Sequence, residues 1–152
     1  MRGKERLMIT VMPICENDLE GLKQLYDNGF GGTDTDFIEM KNVYYWMKNN
    51  PDYYVLCAKS DGIIVGSIMG IINRELFGKC KPFMVLENVI VSNNCRRMGV
   101  GKMLMEYIDK VAIENECTYI MLLSRMHRKE AHLFYESVGY SGNVAKGFKK
   151  YL

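Results

Sequence analysis

Residues 85–105 constrain this chain more than any other segment: Val-Leu-Glu-Asn-Val-Ile-Val-Ser-Asn-Asn-Cys-Arg-Arg-Met-Gly-Val-Gly-Lys-Met-Leu-Met. They read as an apolar strand, a short polar turn, and an amphipathic helix opened by Arg96-Arg97-Met98-Gly99-Val100-Gly101. A helix start leaves several backbone N–H groups without intrahelical partners. Those groups lie at the positive end of the helix dipole. With arginines beside them they form a site for a phosphate or pyrophosphate. Spacing excludes two familiar versions of such a site. In a P-loop, Arg96 would have to be glycine and Met103 would have to be Ser or Thr. In G-x-G-x-x-G, a third glycine would stand where Leu104 is.

The segment does match [Arg/Gln]-x-x-Gly-x-[Gly/Ala] between a strand and a helix, carried by Arg96, Gly99 and Gly101. Downstream stands Lys-Glu-Ala-His-Leu-Phe-Tyr-Glu-Ser-Val-Gly-Tyr at residues 129–140. It fits A-x-x-F-Y-E-x-x-G-[FY] through Ala131, Phe134, Tyr135, Glu136, Gly139 and Tyr140. Together, in this order and separated by one helix and one strand, the two motifs resemble the GNAT family of N-acetyltransferases. The resemblance covers roughly residues 9–152 and is weakest over residues 14–50. For the first motif alone, the alternative is an ordinary strand-to-helix turn that uses glycine for its backbone freedom.

Length and composition agree with one domain over residues 1–152, long enough to bury a full core. The formal net charge of +2 gives no reason to expect nucleic acid as a partner. No apolar run approaches the length of a membrane span. The first six residues are charged, but no apolar stretch follows as a signal peptide requires. The cysteines at 15, 57, 80, 95 and 117 are dispersed, with no C-x-x-C, and only His127 and His132 are available to join them. No metal site is expected from that pattern. Dispersed cysteines in odd number read as reduced thiols in a cytoplasmic protein.

Periodicity predicts alternating elements. A strand at residues 8–13 is followed by a helix from Glu16 or Asn17 to about Tyr26, then a glycine- and aspartate-rich loop at 29–35. A second helix at about 36–49 carries Phe37, Met40, Tyr44 and Met47 on one stripe. Strands at 53–59 and 63–73 flank a turn at Ser60-Asp61-Gly62. Residues 83–91 read as a central apolar strand, 101–116 as a helix and 119–123 as a buried strand. The connection between those two strands implies parallel pairing. A short helix at 130–138 and a terminal strand or hairpin at 140–152 complete the pattern. The expected class is α/β, a mixed central sheet flanked by helices, which is also the order of elements the family resemblance implies.

The resemblance implies an acetyl-CoA-dependent N-acetyltransferase that moves an acetyl group to a primary amine by direct attack on the thioester. Acetyl-CoA serves as cosubstrate and no metal is needed. Such chemistry requires the amine to lose a proton, the oxyanion to meet hydrogen-bond donors, and the leaving thiolate to be stabilised. Glu87, in the middle of an apolar strand, is the candidate base, and burial would strengthen it as one. The alternative is a paired structural carboxylate. Asn88 is expected on the opposite face of the strand. Tyr135 is the candidate acid by resemblance. A phenol near pKa ~10 gives its proton to a thiolate only slightly uphill, more easily if its pKa is lowered. The alternative is an aromatic core residue, with Ala131 and Phe134 on the inward stripe.

By the same resemblance, the backbones of Val89 and Val91 pair with the pantetheine arm like an added strand, with the Val89 N–H as a candidate oxyanion donor. The pyrophosphate would rest on N–H groups of Arg97, Met98, Gly99, Val100, Gly101 and Lys102, with Arg96 and Arg97 supplying charge. One departure stands out. Where many family members have an asparagine contacting the pantetheine, this chain has Arg128, within the cluster His127-Arg128-Lys129.

The acceptor is expected to be a small-molecule amine bordered by residues 26–46 and 141–148; a protein acceptor and a homodimer stay open. Asp34, Asp36 and Glu39 beside Tyr44, Tyr45 and Trp46 suit a cationic amine, and equally suit a polar loop with an amphipathic helix. The competing class of function is a non-catalytic acyl-CoA-binding sensor or interaction module. The pairing of Glu87 with Tyr135 favours the enzyme.

Overall fold

A computed structural model describes residues 8–152. The charged segment read above as lacking a signal peptide lies outside them. Within them, five strands form one sheet in the order β1-β2-β3-β4-β5. These are β1 (Ile9–Pro13), β2 (Tyr53–Ser60), β3 (Ile63–Asn73), β4 (Phe83–Val91) and β5 (Ile120–Leu122). The first four pair antiparallel and β5 joins β4 in parallel. The helices are α1 (Leu19–Gly29), α2 (Phe37–Lys48), α3 (Val100–Glu114) and α4 (Lys129–Ser137). This is the mixed α/β architecture expected, and no helix among the described residues is long and apolar enough to cross a membrane.

The two faces of the sheet are covered unequally. Leu56, Ala58, Ile68, Met84 and Leu86 pack against Val100, Leu104, Met105, Ile108 and Ala112 of α3 in the main core, which also holds Tyr135 of α4. The opposite face meets α1 through a smaller cluster of Leu22, Leu25 and Ile90. Helix α2 buries none of its residues fully. Its predicted stripe of Phe37, Met40, Tyr44 and Met47 is half-buried, enough to orient the helix but not to seal the sheet.

Three expectations need correction. The first helix starts later and runs further, because Glu16–Asp18 form a 3-10 turn first. Asp18 folds back there, accepting from the Cys15 N–H at 2.9 Å and pairing with Lys59 at 2.5 Å. No strand follows α4: residues 140–152 carry no regular element and are exposed from Ser141 onward. Gly139 with φ 100° turns the chain away from the helix, and the tail lacks the period-two apolar pattern that would hold it on a sheet edge. Finally, side chains do not simply alternate along β4. Register shifts by one residue between its pairing with Ser67 and with Met69, and Asn88 sits at φ 52°. This is a β-bulge, with the extra residue in β4 and asparagine tolerating the left-handed backbone.

Candidate active site

The bulge organises the site. Before it, Met84 and Leu86 face α3; after it, Val89 and Val91 pack toward the α3 core while Ile90 joins the α1 cluster. Main-chain groups are re-aimed as well. At the start of β4, the Met84 N–H donates to Tyr119 O at 3.0 Å, so Met84 and Leu86 point at β5. At its end, the Ser92 N–H donates to Val65 O at 2.8 Å. The backbone of Ser92 and, by alternation, of Ile90 therefore points at β3, and that of Val89 and Val91 points the other way. No strand among the described residues meets them there, because β5 pairs only with Met84, Val85 and Leu86. The end of β4 thus presents an open main-chain edge, with Val89 and Val91 supplying the groups that face it.

Beyond that edge the chain turns through a 3-10 segment, Asn93–Cys95, and enters α3. Cys95 and Val100 are buried and anchor the turn, while Arg96, Arg97, Met98 and Gly99 are exposed. Arg97 and Gly99 both have positive φ, 61° and 81°. Among the described residues, none of the backbone N–H groups at residues 96–102 donates to a protein acceptor. The first turn of α3 contains no acidic residue, and no side chain caps it. Such a row of free donors at a helix start is an anion cradle. Gly99 is required by its left-handed backbone. Gly101 is required by a neighbour: a Cβ there would lie 2.9 Å from Cζ of Phe134. That glycine lets α4 pack on the start of α3. Val100 contributes only its backbone, since its side chain is core. Lys102 is exposed and lies 3.9 Å from Glu106.

Clefts flank this turn on both sides. One of about 260 Å³ lies between α3 and α4, lined by Lys102, Glu106, Asp109 and Ser137 among others. Burial, then the neighbouring Glu106, pushes the Asp109 carboxyl up. The second, about 330 Å³, separates α1 from the end of β4 and includes Gln24, Asn28, Val91 and Ser92.

Tyr135 is packed more deeply than expected. At 8 % exposed it belongs to the core, while Ala131 and Phe134 are half-buried. Its ring lies 5.5 Å from that of Phe134 and 6.2 Å from that of Tyr140. Burial pushes the Tyr135 phenol above its ordinary value, and the Arg128 guanidinium pulls it part of the way back. The shift is opposite to the lowering that would ease proton transfer. Arg128, marked in the sequence only as a departure, therefore bears on the tyrosine electrostatically. Sequence reasoning gave no role to Ser124, just past β5: its Oγ is buried and has no hydrogen-bond partner among the described residues, and the same holds for the Tyr140 hydroxyl. A lone serine after a short apolar strand carries no sequence signal.

Glu87 is exposed, not buried, and makes no hydrogen bond or ion pair among the described residues. Glu87 and Asn88 are both exposed, and Asn88 is the extra residue of the bulge. Glu87 lies opposite Met69, on the α2 side of the sheet. The acidic residues expected beside the acceptor are committed elsewhere. Asp34 pairs with Lys23 at 2.8 Å. Asp36 caps α2, accepting from the Ile38 and Glu39 N–H groups at 3.0 and 3.1 Å. Glu39 accepts from Asn42 at 3.2 Å. Asp27, held by Lys23 at 2.6 Å, receives both the N–H and the hydroxyl of Thr35. These carboxylates fold the loop between α1 and α2.

The open edge of β4 runs on into a helix start with free N–H donors, and residues 19–140 match the model of the acetyltransferase (GNAT) family. The chain belongs to that family of N-acetyltransferases. It is 27% identical over 89 residues to the uncharacterized N-acetyltransferase YhdJ of Bacillus subtilis, a stretch that makes up 58% of this chain and 62% of that relative. A structure from Agrobacterium tumefaciens, titled "Putative acetyltransferase", is 26% identical, with a TM-score of 0.86 over 94% of this chain and 99% of that one. The glucosamine-6-phosphate N-acetyltransferase of Arabidopsis thaliana shares the fold at 19% identity, with a TM-score of 0.85 over 95% of this chain and 98% of its own. The GNAT family uses acetyl-CoA as acetyl donor, and the free donors at residues 96–102 and the unpaired edge of β4 fit a pyrophosphate followed by an amide-bearing arm.

Proposed function

We propose that this protein transfers the acetyl group of acetyl-CoA to a primary amine of a small molecule. Bound acetyl-CoA would supply an activated thioester. The single observation that carries the reading is the continuity between the unpaired edge at Val89 and Val91 and the free N–H groups of residues 96–102. Arg96, Arg97 and Lys102 add positive charge, and the backbones of Met98, Gly99, Val100 and Gly101 add donors. The Val89 N–H stabilises charge developing on the carbonyl oxygen. Glu87, the free carboxylate beside this edge, takes up the proton of the amine directly or through water. Tyr135, with its raised pKa, holds its proton firmly. It acts by hydrogen-bonding the departing sulfur, and hands over the proton only as the C–S bond breaks.

The reading is tested by incubating the protein with acetyl-CoA and a broad amine panel, following free CoA and acetylated product by mass spectrometry. Tyr135→Phe keeps the ring and should lower turnover by about 10²-fold or more with acetyl-CoA affinity little changed. Tight CoA binding without product from any small amine or peptide supports a sensor instead. Wild-type turnover in Tyr135→Phe returns that residue to packing alone.

A further inference from the structure

The sheet face opposite α3 has an uncovered half. Register places Tyr53, Ile71, Val85 and Met121 side by side in one row across β2, β3, β4 and β5. Cross-strand neighbours share a face. That face is the α2 side, because the Tyr53 ring lies 5.1 Å from Trp46 of α2. It is not the α3 side, because Met84 and Leu86, flanking Val85, belong to the α3 core. Met69 and Glu87 stand in the next row. Tyr53, Ile71, Val85 and Met69 are only half-buried, and Met121 is 39% exposed. Helix α2 stands at the margin of this face with Trp46 itself 57% exposed, and the C-terminal tail touches its far side where Gly147 meets Leu123.

The charge on this face is as informative as its apolarity. Asp34, Asp36 and Glu39 are engaged in the loop and helix cap described above, and Asp52 is paired with Arg74 at 2.9 Å. Glu87 is left as an unpaired carboxylate next to an apolar floor. A hydroxylated amine would find few hydrogen-bond partners along that row, and burying its hydroxyls there would cost free energy. An ammonium on an apolar body would place its charge by Glu87 and its carbon skeleton on the row.

We propose that the acceptor of this enzyme is a primary amine carried on an apolar, aryl or alkyl, body, seated on the Tyr53–Ile71–Val85–Met121 row with its nitrogen at Glu87. The assignment rests on the acetyl-transfer reading and names its substrate class. It sets this site apart from one that accepts a phosphorylated amino sugar.

The test compares kcat/KM for 2-phenylethylamine, n-hexylamine, glucosamine 6-phosphate and a lysine peptide, with the wild type and with Met121→Glu and Val85→Thr. The apolar amines should exceed glucosamine 6-phosphate by about tenfold or more, the scale on which apolar pockets discriminate. Met121→Glu changes an exposed position and should raise KM for 2-phenylethylamine while leaving KM for acetyl-CoA unchanged. Val85→Thr should act in the same direction more weakly. Equal or better use of glucosamine 6-phosphate or the peptide overturns the proposal, as does indifference of apolar amines to both variants. If no amine at all yields product, the acetyl-transfer reading falls. Calorimetry of 2-phenylethylamine on the CoA-saturated protein then decides the face alone: binding weakened by Met121→Glu supports it, and no binding overturns it. Light scattering that shows a dimer split by Met121→Glu assigns the face to a second copy and also overturns it.

Discussion

The two halves of β4 belong to one strand and are built in opposite ways. From Met84 to Leu86 the backbone is paired on both sides, and Met84 and Leu86 are core residues at 0% and 2% exposure. From Glu87 onward it is paired only with β3, carries an exposed carboxylate, and turns unpaired main-chain groups outward. One extra residue, Asn88, separates the two. A site that recruits backbone groups needs a strand that is fixed yet unfinished. The first half and the α3 core provide the fixing, and the early end of β5 leaves the second half unfinished.

The comparison breaks most directly if both halves respond alike. Leu86→Ala removes buried methyl groups from the α3 core and should cost about 2–5 kcal/mol of stability, with acetyl-CoA affinity of the remaining folded protein unchanged. Val91→Pro removes an N–H that the sheet does not use, so denaturant unfolding should shift little. Acetyl-CoA affinity should fall roughly tenfold, the worth of one net hydrogen bond of about 1–1.5 kcal/mol. A Val91→Pro protein as destabilised as Leu86→Ala would mean that the edge is structural.

Glu87→Gln probes the junction. The shape is kept and the basic carboxylate is lost. Turnover should fall by about 10²-fold, the low end for a general base, because this carboxylate is solvated. The acidic limb of the pH–rate profile should flatten. An unchanged profile would leave the amine to lose its proton to solvent, with Glu87 only positioning it.

Much of this was legible in the sequence. The Arg96–Gly101 turn, the Phe134-Tyr135 helix and the succession of elements as far as α4 follow from local signals: glycine spacing, apolar periodicity and turn residues. The rest depended on what each group meets in space. In Val-Leu-Glu-Asn-Val-Ile-Val the asparagine is out of place for a strand, but it does not say where a ladder shifts; only pairing with β3 shows the extra residue. Gly101 reads as a phosphate-loop glycine, yet Phe134, far along the chain, is what excludes a side chain there. Asp34 and Asp36 look like amine ligands until Lys23 and the α2 backbone claim them. The tail at 140–152 has strand-forming residues in Val144, Phe148 and Tyr151 but no regular alternation to set a register.

Two carboxylates restate the contrast in electrostatic terms. Asp18 is 8% exposed and held by Lys59 and Cys15, whereas Glu87 is exposed and unpaired. Burial alone pushes the Asp18 carboxyl up, but the hydrogen bonds from Lys59 and Cys15 outweigh it and hold it below its usual 3.8. A depressed folded value means the contribution is complete above the unfolded value, about pH 4, and is lost as the pH falls through the folded one. Asp18→Asn should therefore cost about 1–3 kcal/mol at neutral pH, and the gap from wild type should narrow as the pH falls below about 4. Chemical denaturation at pH 7 and pH 3 measures it. Glu87→Gln should show no such stability loss at either pH, and one that did would make Glu87 a structural carboxylate after all.

The smallest expected effect is the sharpest test of the bulge. Asn88 holds φ 52°, a conformation that costs an ordinary L-residue about 1–2 kcal/mol and asparagine less. Asn88→Ala should lose about 1 kcal/mol of stability, while Asn88→Gly, free of the Cβ strain but more flexible when unfolded, should stay within about 0.5 kcal/mol of wild type. In both, acetyl-CoA affinity and turnover should hold, because the strand needs the extra residue and not its amide. An Asn88→Gly protein with wild-type stability but impaired turnover would place the Asn88 side chain in the reaction. The boundary between the structural and functional halves of β4 would then run through a reacting group.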